Sequence, residues 1–232
     1  LAGALDPLLE RRRAEGFETK VVEVEAIYDQ FGFGNKSPEA IRDFVKAASG
    51  WAAPPRYLLL AGGASFDPRN YLGTGWQDWV PTKLFRTRTY HYEAADDGYF
   101  ASSLPAGAPG IGVGRLPPQS GSQLASAVAK IVEFETLQGT LPLGRSLFVA
   151  DDKNARSGLD DPSFEQTSAL LAAGLAGPGV EIQRLDLSAS ADPRRELQAA
   201  MSGGVDLINF MGHGGPQVWT SRGILASADA TS

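Results

Sequence analysis

Apolar residues recur along this chain in two spacings, at every second position in short runs and at every third or fourth position in longer ones. The first spacing is typical of strands and the second of helices. Runs of the two kinds alternate along the sequence. This alternation predicts an α/β fold of mainly parallel sheets covered by helices, because consecutive parallel strands need a crossover connection between them.

The helical spacing predicts five longer helices and one short one. Ser37 is expected to cap a helix that begins at Pro38, since proline is favoured at the first helical position and a serine hydroxyl accepts a hydrogen bond from the first helical amides. The predicted helices are Leu5–Ala14, Pro38–Ala48, Ser122–Leu137, Phe164–Leu175, Pro193–Met201 and the short Ile224–Ala228.

Alternating or continuously apolar runs predict the strands. Tyr57–Ala61 is short, wholly apolar and preceded by two prolines, so we expect a central strand buried on both faces. After it, Ser65–Pro109 is aromatic and rich in Pro and Gly, and a segment of this length is expected to carry function or a small hairpin. The other predicted strands are Phe17–Val24, Ile111–Val113, Leu147–Ala150, Val180–Leu187 and Leu207–Met211.

Glycine and proline between Gly139 and Gly144 separate two sets of alternating elements. The sequence therefore predicts an N-terminal subdomain, residues 1–141, and a second subdomain, residues 142–232.

Composition and charge argue against several classes of function and site. The 232 residues contain 21 Lys and Arg against 27 Asp and Glu, a net charge of −6, which argues against a nucleic-acid partner because phosphate backbones are bound by clustered cations. The longest apolar run is far shorter than the ~20 residues of a membrane span, and residues 1–13 lack the order of a signal peptide. No nucleotide-binding glycine motif is present. The chain has no cysteine, which excludes disulfides, thiolate metal sites and a cysteine nucleophile within these residues.

Acidic pairs stand at Asp96-Asp97, Asp151-Asp152 and Asp160-Asp161, near predicted strand ends and helix starts. Carboxylates in such loops can hold calcium, which takes several oxygen ligands. They can also be turn and capping residues, because an aspartate side chain bonds nearby amides. No EF-hand spacing is present, so the turn and capping roles are favoured.

The chain has two histidines in different surroundings. His91 lies in the alternating stretch Thr89–Tyr92, where a surface or packing role is expected. His213 follows the apolar run Leu207–Met211 and stands between two glycines. Chemistry in an open parallel sheet gathers at the carboxyl ends of its strands, so this imidazole is well placed to carry protons. The amide of the following Gly214 is placed to donate to an oxyanion.

The run Leu207–Gly214, together with Trp219, resembles the histidine motif of the gingipain-type cysteine peptidases. Other stretches match the same family in the family's order and cover nearly the whole chain. They are Phe31–Gly34, Ser37–Phe44, Tyr57–Leu60, Ser65–Asn70, Val80–Thr82, Asp96–Ala101, Ile111–Pro117 and Val149–Asp152. Each stretch alone is weak, whereas the ordered set is fairly specific.

The resemblance implies a caspase-like α/β fold in two side-by-side subdomains, with the catalytic dyad in the second. His213 would be the general base and acid, and the Gly214 amide would be part of the oxyanion hole. An acidic residue after the first strand of the second subdomain is expected to orient the histidine, and Asp151 or Asp152 matches that place. The family also implies a peptide or protein substrate, structural calcium, and secretion or a cell-surface location. The chemistry itself requires no cofactor.

Two positions depart from the family pattern. Gly63 stands where the family usually has an acid after the strand that matches Tyr57–Leu60. In arginine-specific members an acid just before the helix that matches Phe164–Leu175 lines the specificity pocket, and here the matching residue is Ser163. Asp160 or Asp161 could substitute for it, but specificity for arginine does not carry over.

The missing nucleophile is the larger departure. In the related caspases the cysteine lies about 50 residues from the histidine, whereas the sequence given ends at Ser232. We therefore expect a fragment of a gingipain-like cysteine endopeptidase that carries the catalytic histidine without the cysteine and is inactive alone. Two alternatives stay open. One is a transpeptidase similar to the sortase of the type IX secretion system, and the other is a non-catalytic interaction module of the same fold.

Overall fold

The computed structural model describes residues 1–87, 93–102, 104, 110–138, 144–152, 163–215 and 217–231. Within them the chain forms two compact units, Leu1–Gln138 and Gly139–Ser232. The predicted boundary between residues 141 and 142 lies outside the described residues, as do His91 and the acidic pair Asp160-Asp161.

The first unit combines helices with two small sheets. Strands β1 and β4 pair in parallel, and β2 and β3 pair in antiparallel. Short 3₁₀ helices precede α1 and follow β3, at Ala2–Leu5 and Asp97–Ala101. The elements in chain order are α1 (Asp6–Ala14), α2 (Val24–Phe31), α3 (Pro38–Ala48), β1 (Tyr57–Ala61), β2 (Lys83–Arg86), β3 (Glu93–Asp96), β4 (Gly112–Leu116) and α4 (Gly121–Gln138).

Alternate residues of β1 enter two different cores, because successive side chains of a strand point to opposite faces. Leu60 packs with Ile41 of α3 and with Phe100, in a core that α2 and α3 cover. The next residue, Ala61, packs against a second core. The buried members of that second core are Leu5, Leu8, Leu124 and Val128.

The second unit is built on a parallel sheet with the strand order β6-β5-β7. Three very short strands form an antiparallel sheet in the order β10-β9-β8, and the 3₁₀ helix Ser227–Thr231 follows. The elements are β5 (Arg145–Ala150), α5 (Phe164–Leu175), β6 (Glu181–Asp186), α6 (Pro193–Ser202), β7 (Leu207–Met211), β8 (Gly214–Gly215), β9 (Val218–Trp219) and β10 (Leu225–Ala226). The buried core consists of Leu147, Val149, Leu185, Leu187, Leu197 and Ile224.

The structure confirms the α/β fold, and most elements lie where the pattern predicts them. β1, α3, α5 and β7 have the predicted bounds, and most of the other helices and strands differ by a few residues at an end. Ser37 caps α3, because its hydroxyl accepts a hydrogen bond from the Ala40 N–H at 3.2 Å. Strands β2 and β3 are the hairpin expected within Ser65–Pro109.

The prediction of a strand at Phe17–Val24 is wrong. Residues 17–23 have no regular secondary structure, and Val24 is the first residue of a helix that the pattern did not predict. Val24, Ile27 and Tyr28 recur at helical spacing, and this stripe packs into the first core. Burial of that stripe outweighs the short alternating pattern before it.

Two further predictions are wrong. β1 is not buried on both faces, since Tyr57 is 63% exposed and Leu59 is 44% exposed. On that side of the strand, the second core reaches only Ala61. Ile224–Ala228 is not a helix, because Leu225 and Ala226 pair with β9 and a 3₁₀ helix follows them.

Candidate active site

The carboxyl ends of β5 and β7 meet beside His213. The two strands pair in parallel, with Ala150 opposite Met211. One step further, the Asp151 N–H donates to the Met211 carbonyl at 2.9 Å. The register therefore places the first residue after β5 beside the loop that leaves β7 and carries His213.

Asp151 holds the main chain of this loop. It is only 6% exposed. One carboxylate oxygen, Oδ2, accepts from the backbone N–H of His213 at 3.4 Å, and Oδ1 accepts from the Asp152 N–H at 3.0 Å. Burial raises the pKa of Asp151, and these two backbone hydrogen bonds oppose the rise. A buried carboxylate thus contacts the histidine backbone.

Asp152 lies in a different environment from Asp151. Its side chain is 45% exposed, and its Oδ2 is 3.9 Å from Nη1 of Arg222. Of the two acids that the sequence left as alternatives, the structure brings Asp151 to the backbone of His213.

The imidazole of His213 packs against an aromatic ring that the sequence analysis did not select. The Phe164 ring meets it edge-on, with 5.1 Å between centroids and 88° between planes. Phe164 is the first residue of α5, and Ser163 caps that helix by accepting from the Gln166 N–H. The topology contained a signal for this residue, since a helix that follows β5 in a crossover begins at the carboxyl edge of the sheet.

The Gly214 N–H points away from its neighbouring strand. Gly214 lies opposite Trp219 in the β8–β9 ladder. The next bond of the ladder runs from the Thr220 N–H to the His213 carbonyl at 2.9 Å. This makes Gly214 and Trp219 a non-hydrogen-bonded pair, in which both N–H groups turn outward. Gly214 is an exposed residue, and its N–H lies beside His213 on the side away from β9.

Close approach at the strand ends requires a glycine before the histidine. A β-carbon on Gly212 would lie 2.5 Å from the β-carbon of Asp151 and 2.7 Å from the Phe210 ring. That ring is held in turn by the Trp219 indole, stacked on it with 4.5 Å between centroids. Trp219, part of the motif in the sequence, therefore supports the loop through Phe210.

Gly63 departs from the family pattern, and the packing around it explains why a glycine stands at this position. A β-carbon there would lie 2.1 Å from Nε2 of Gln119. Gln119 is engaged on both sides of its amide, because Oε1 accepts from the Gln77 N–H at 2.7 Å and Nε2 donates to the Gln77 carbonyl at 3.3 Å. Gln119 occupies the space that a side chain at position 63 would need.

The acidic pair Asp96-Asp97 also has a structural partner. Arg115 donates to both oxygens of the Asp97 carboxylate at 2.8 Å. Across the residues that the structure describes, there is no group of three or more His, Cys, Asp or Glu side chains placed to hold a metal ion. Within the same ranges, no helix is both long and apolar enough to cross a membrane.

Comparisons with known proteins concern the family and the fold of the chain. The sequence model of peptidase family C25 matches residues 1–232. Among solved structures, the chain is similar to the Arg-specific cysteine proteinase gingipain R, with a TM-score of 0.57 and 18% sequence identity over 83% of this chain. The chain spans 40% of the length of that protein chain. This similarity confirms the predicted caspase-like fold. No curated protein gives a significant match.

Proposed function

The chain belongs to peptidase family C25, and we propose that it supplies the histidine half of a cysteine-peptidase active site. The observation that carries the proposal is the fixed place of His213. It follows the carboxyl end of β7, its backbone N–H donates to the buried Asp151, and the outward N–H of Gly214 comes next. A proton carrier and an oxyanion donor therefore lie next to each other at the edge where open parallel sheets bind ligands.

In the proposed reaction the His213 imidazole accepts the proton of a cysteine thiol, and the thiolate attacks the carbonyl carbon of a peptide bond. The Gly214 N–H donates to the oxyanion that forms. The imidazolium then gives its proton to the amine nitrogen as the C–N bond breaks, which leaves a thioester. Water loses a proton to His213 and hydrolyses the thioester, and the thiol is restored.

Asp151 and Phe164 hold the histidine in this proposal. The Asp151 carboxylate fixes the backbone at His213, and its negative charge favours the imidazolium that forms during the reaction. The Phe164 ring restricts the imidazole from the side of α5. Phe164 thus supports the side chain from one element, while Asp151 supports the main chain from another.

The thiol would come from outside these 232 residues, which contain no cysteine. The sheet offers a place for it. In the order β6-β5-β7, the outer edge of β7 is not paired with any strand that the structure describes. A further parallel strand on that edge would end beside His213, and a cysteine there would reach the imidazole.

The substrate is proposed to be a peptide or protein, and specificity for arginine is not carried over from the similar structure. Gingipain R is described as Arg-specific. In this chain, the residue that matches the acid of arginine-specific members is Ser163, and its hydroxyl caps α5. A capping hydroxyl carries no charge that could pair with a guanidinium.

The complete protein that contains this chain tests the proposal. We expect wild type to cleave fluorogenic peptides or casein, and we expect alkylation of thiols to stop the cleavage. His213→Ala should lower kcat/KM by at least about 10³-fold. His91→Ala, the other histidine of the chain, should keep wild-type activity and is the matched control.

Each other outcome points to a different function. Full activity of His213→Ala would overturn the assignment of the base. Mass spectrometry that finds an added amine joined to the new carboxyl terminus, in place of a free acid, would identify a transpeptidase. Wild-type protein without any thiol-dependent turnover would indicate a non-catalytic interaction module.

Secretion or a cell-surface location, and structural calcium, are proposed from the family resemblance alone. Immunoblots of culture medium and cell fractions test the first. A thermal melt of the protein with and without EDTA tests the second, since loss of a structural ion lowers the melting temperature.

A further inference from the structure

Thr220 has an unusual backbone conformation next to the proposed site. Its φ is +58°, in the left-handed region, and it is only 2% exposed. A β-branched residue in this region is a rare outlier, because its side chain crowds the backbone. Such strain persists only where the surrounding structure holds it, and it gathers at functional sites.

The contacts of Thr220 explain what holds the strain. Its backbone N–H donates to the His213 carbonyl at 2.9 Å, and its Oγ1 accepts from the Arg222 N–H at 3.0 Å. Arg222 in turn donates from Nη1 to the Leu187 carbonyl at 2.6 Å, just beyond β6. Ile224, at the end of the same turn, is fully buried in the core of the second unit. The turn that begins at Thr220 is therefore anchored at several points.

The positive φ of Thr220 sets the direction of the chain after β9. It lets the chain turn from β9 towards β10 directly after the hydrogen bond to His213. One residue thus closes the β8–β9 ladder and also opens the turn that places Arg222 and Ile224.

The carbonyl that Thr220 binds belongs to the same peptide group as the Gly214 N–H. That group is planar and trans, so its C=O and N–H point in opposite directions. While the Thr220 N–H holds the His213 carbonyl towards β9, the Gly214 N–H must point outward. A flip of this one peptide would turn the N–H towards β9 and put a carbonyl oxygen where the donor was.

We propose that Thr220 is a positioning residue, whose strained backbone keeps the His213–Gly214 peptide in the orientation that presents the Gly214 N–H to an oxyanion. The oxyanion role rests on the proposed function, whereas the orientation of the peptide does not. Asp151 holds the N–H of His213 and Thr220 holds its carbonyl. The histidine main chain is thus fixed on both sides.

Two substitutions separate this role from simple packing. Thr220→Gly keeps the N–H and favours positive φ, but it leaves a gap in the buried site. Thr220→Val keeps the shape of the side chain and the strain at positive φ, but it loses the Oγ1 bond to Arg222 that helps to hold that strain. Backbone positioning predicts that Thr220→Gly stays close to wild type and Thr220→Val fails, whereas a packing role predicts the reverse.

In the complete protein we expect Thr220→Val to lower kcat by about 10²- to 10³-fold with KM unchanged, because one oxyanion donor is lost. Thr220→Gly should stay within about threefold of wild type, since its backbone bond is kept. Loss of activity in Thr220→Gly with full activity in Thr220→Val would overturn the proposal. If Thr220→Val does not fold, the glycine variant decides alone, since its activity supports the proposal and its inactivity contradicts it.

NMR tests the peptide orientation without any turnover. His213-Gly214 is the only His-Gly pair in these 232 residues, so ¹³C-carbonyl histidine with ¹⁵N-glycine identifies the Gly214 amide. We expect this amide to exchange rapidly with solvent in wild type and in Thr220→Gly, and to become protected or to shift strongly in Thr220→Val. Equal Gly214 exchange in all three proteins would overturn the proposal. A wild type without turnover would instead count against the proposed function.

Discussion

A β-carbon on Gly212 would stand 2.5 Å from the β-carbon of Asp151, closer than two such atoms can approach. The contact between the ends of β5 and β7 therefore depends on glycine at this position. It is also what lets the Asp151 carboxylate reach the backbone of the next residue, His213.

Gly212→Ala should separate the two strand ends. We expect the free energy of unfolding to fall by about 1–3 kcal/mol, the usual cost of forcing extra atoms into a packed site. Urea denaturation followed by circular dichroism measures it. Gly174→Ala is the control, because the added carbon there has no atom within 4 Å, and in the helix α5 it should leave stability unchanged or raise it by up to about 1 kcal/mol. Equal stability of Gly212→Ala and wild type would contradict the close contact.

The buried carboxylate of Asp151 should show in the pH dependence of stability. Burial raises its pKa above the ordinary 3.8, so the folded state favours the protonated form. The stabilisation from protonation is complete below the ordinary pKa and is lost as the pH rises through the raised one. The free energy of unfolding of wild type minus that of Asp151→Asn should therefore fall as the pH rises above the ordinary pKa of 3.8. Denaturant titrations at several pH values measure this difference.

Asp152→Asn provides the reference for Asp151→Asn, since it removes a more exposed carboxylate from the same loop. A difference that stays flat or rises with pH for Asp151→Asn would show that burial does not control this carboxylate.

Lysine should not be able to replace Arg115 without a loss of stability. It binds both oxygens of Asp97 and also donates to the carbonyls of Gly62 and Val80 at 2.6 and 2.7 Å. A lysine has the charge but not the planar set of donors. We expect Arg115→Lys to lower the free energy of unfolding by about 1–3 kcal/mol at neutral pH, because partly buried partners lose their hydrogen bonds. Arg184→Lys, in a more exposed pair with Asp186, should change it by less than about 1 kcal/mol.

The effect of Arg115→Lys should also depend on pH. Burial acts to raise the pKa of Asp97, and hydrogen bonds from Arg115 and Thr82 outweigh it and lower that pKa. The stabilisation is present above the ordinary pKa of 3.8 and is lost as the pH falls through the lowered value. The difference in free energy of unfolding between wild type and Arg115→Lys should become smaller at acid pH. A difference that grows at acid pH would contradict the ion pair.

The cap of α3 depends on one hydroxyl group, so a single substitution tests it. Ser37 accepts from the Ala40 N–H, so Ser37→Ala should cost about 1 kcal/mol of stability. Ser49, at the other end of the helix, donates to the Lys46 carbonyl from an exposed position. Ser49→Ala should cost less, and equal losses at the two positions would argue against the cap.

Most helices and strands could be predicted because their signals are local. The apolar spacing of Phe164–Leu175 and the run Leu207–Met211 gave the bounds that the structure has. The prediction failed at Phe17–Val24, where a short alternating pattern precedes the helix α2. It failed again for the burial of β1, since the sequence does not show how far neighbouring helices extend over a strand.

The candidate site was predictable only in part. His213 and Gly214 stand out because they follow an apolar run and lie among glycines, and the family resemblance added an acid at position 151 or 152. Phe164 and Thr220 carry no local signal of this kind. Phe164 depends on where α5 begins relative to the sheet, and Thr220 depends on a backbone angle.

The sequence by itself determined the fold class and the family and selected His213 as the candidate base, because periodicity and motif order are properties of neighbouring residues. Only the tertiary structure decided which acid meets that histidine, which aromatic ring packs against it, and which way the Gly214 N–H points. These three depend on the parallel register of β5 with β7 and on the β8–β9 ladder. A register joins residues that are far apart in the chain, and hydrogen bonds across it settle what the local pattern leaves open.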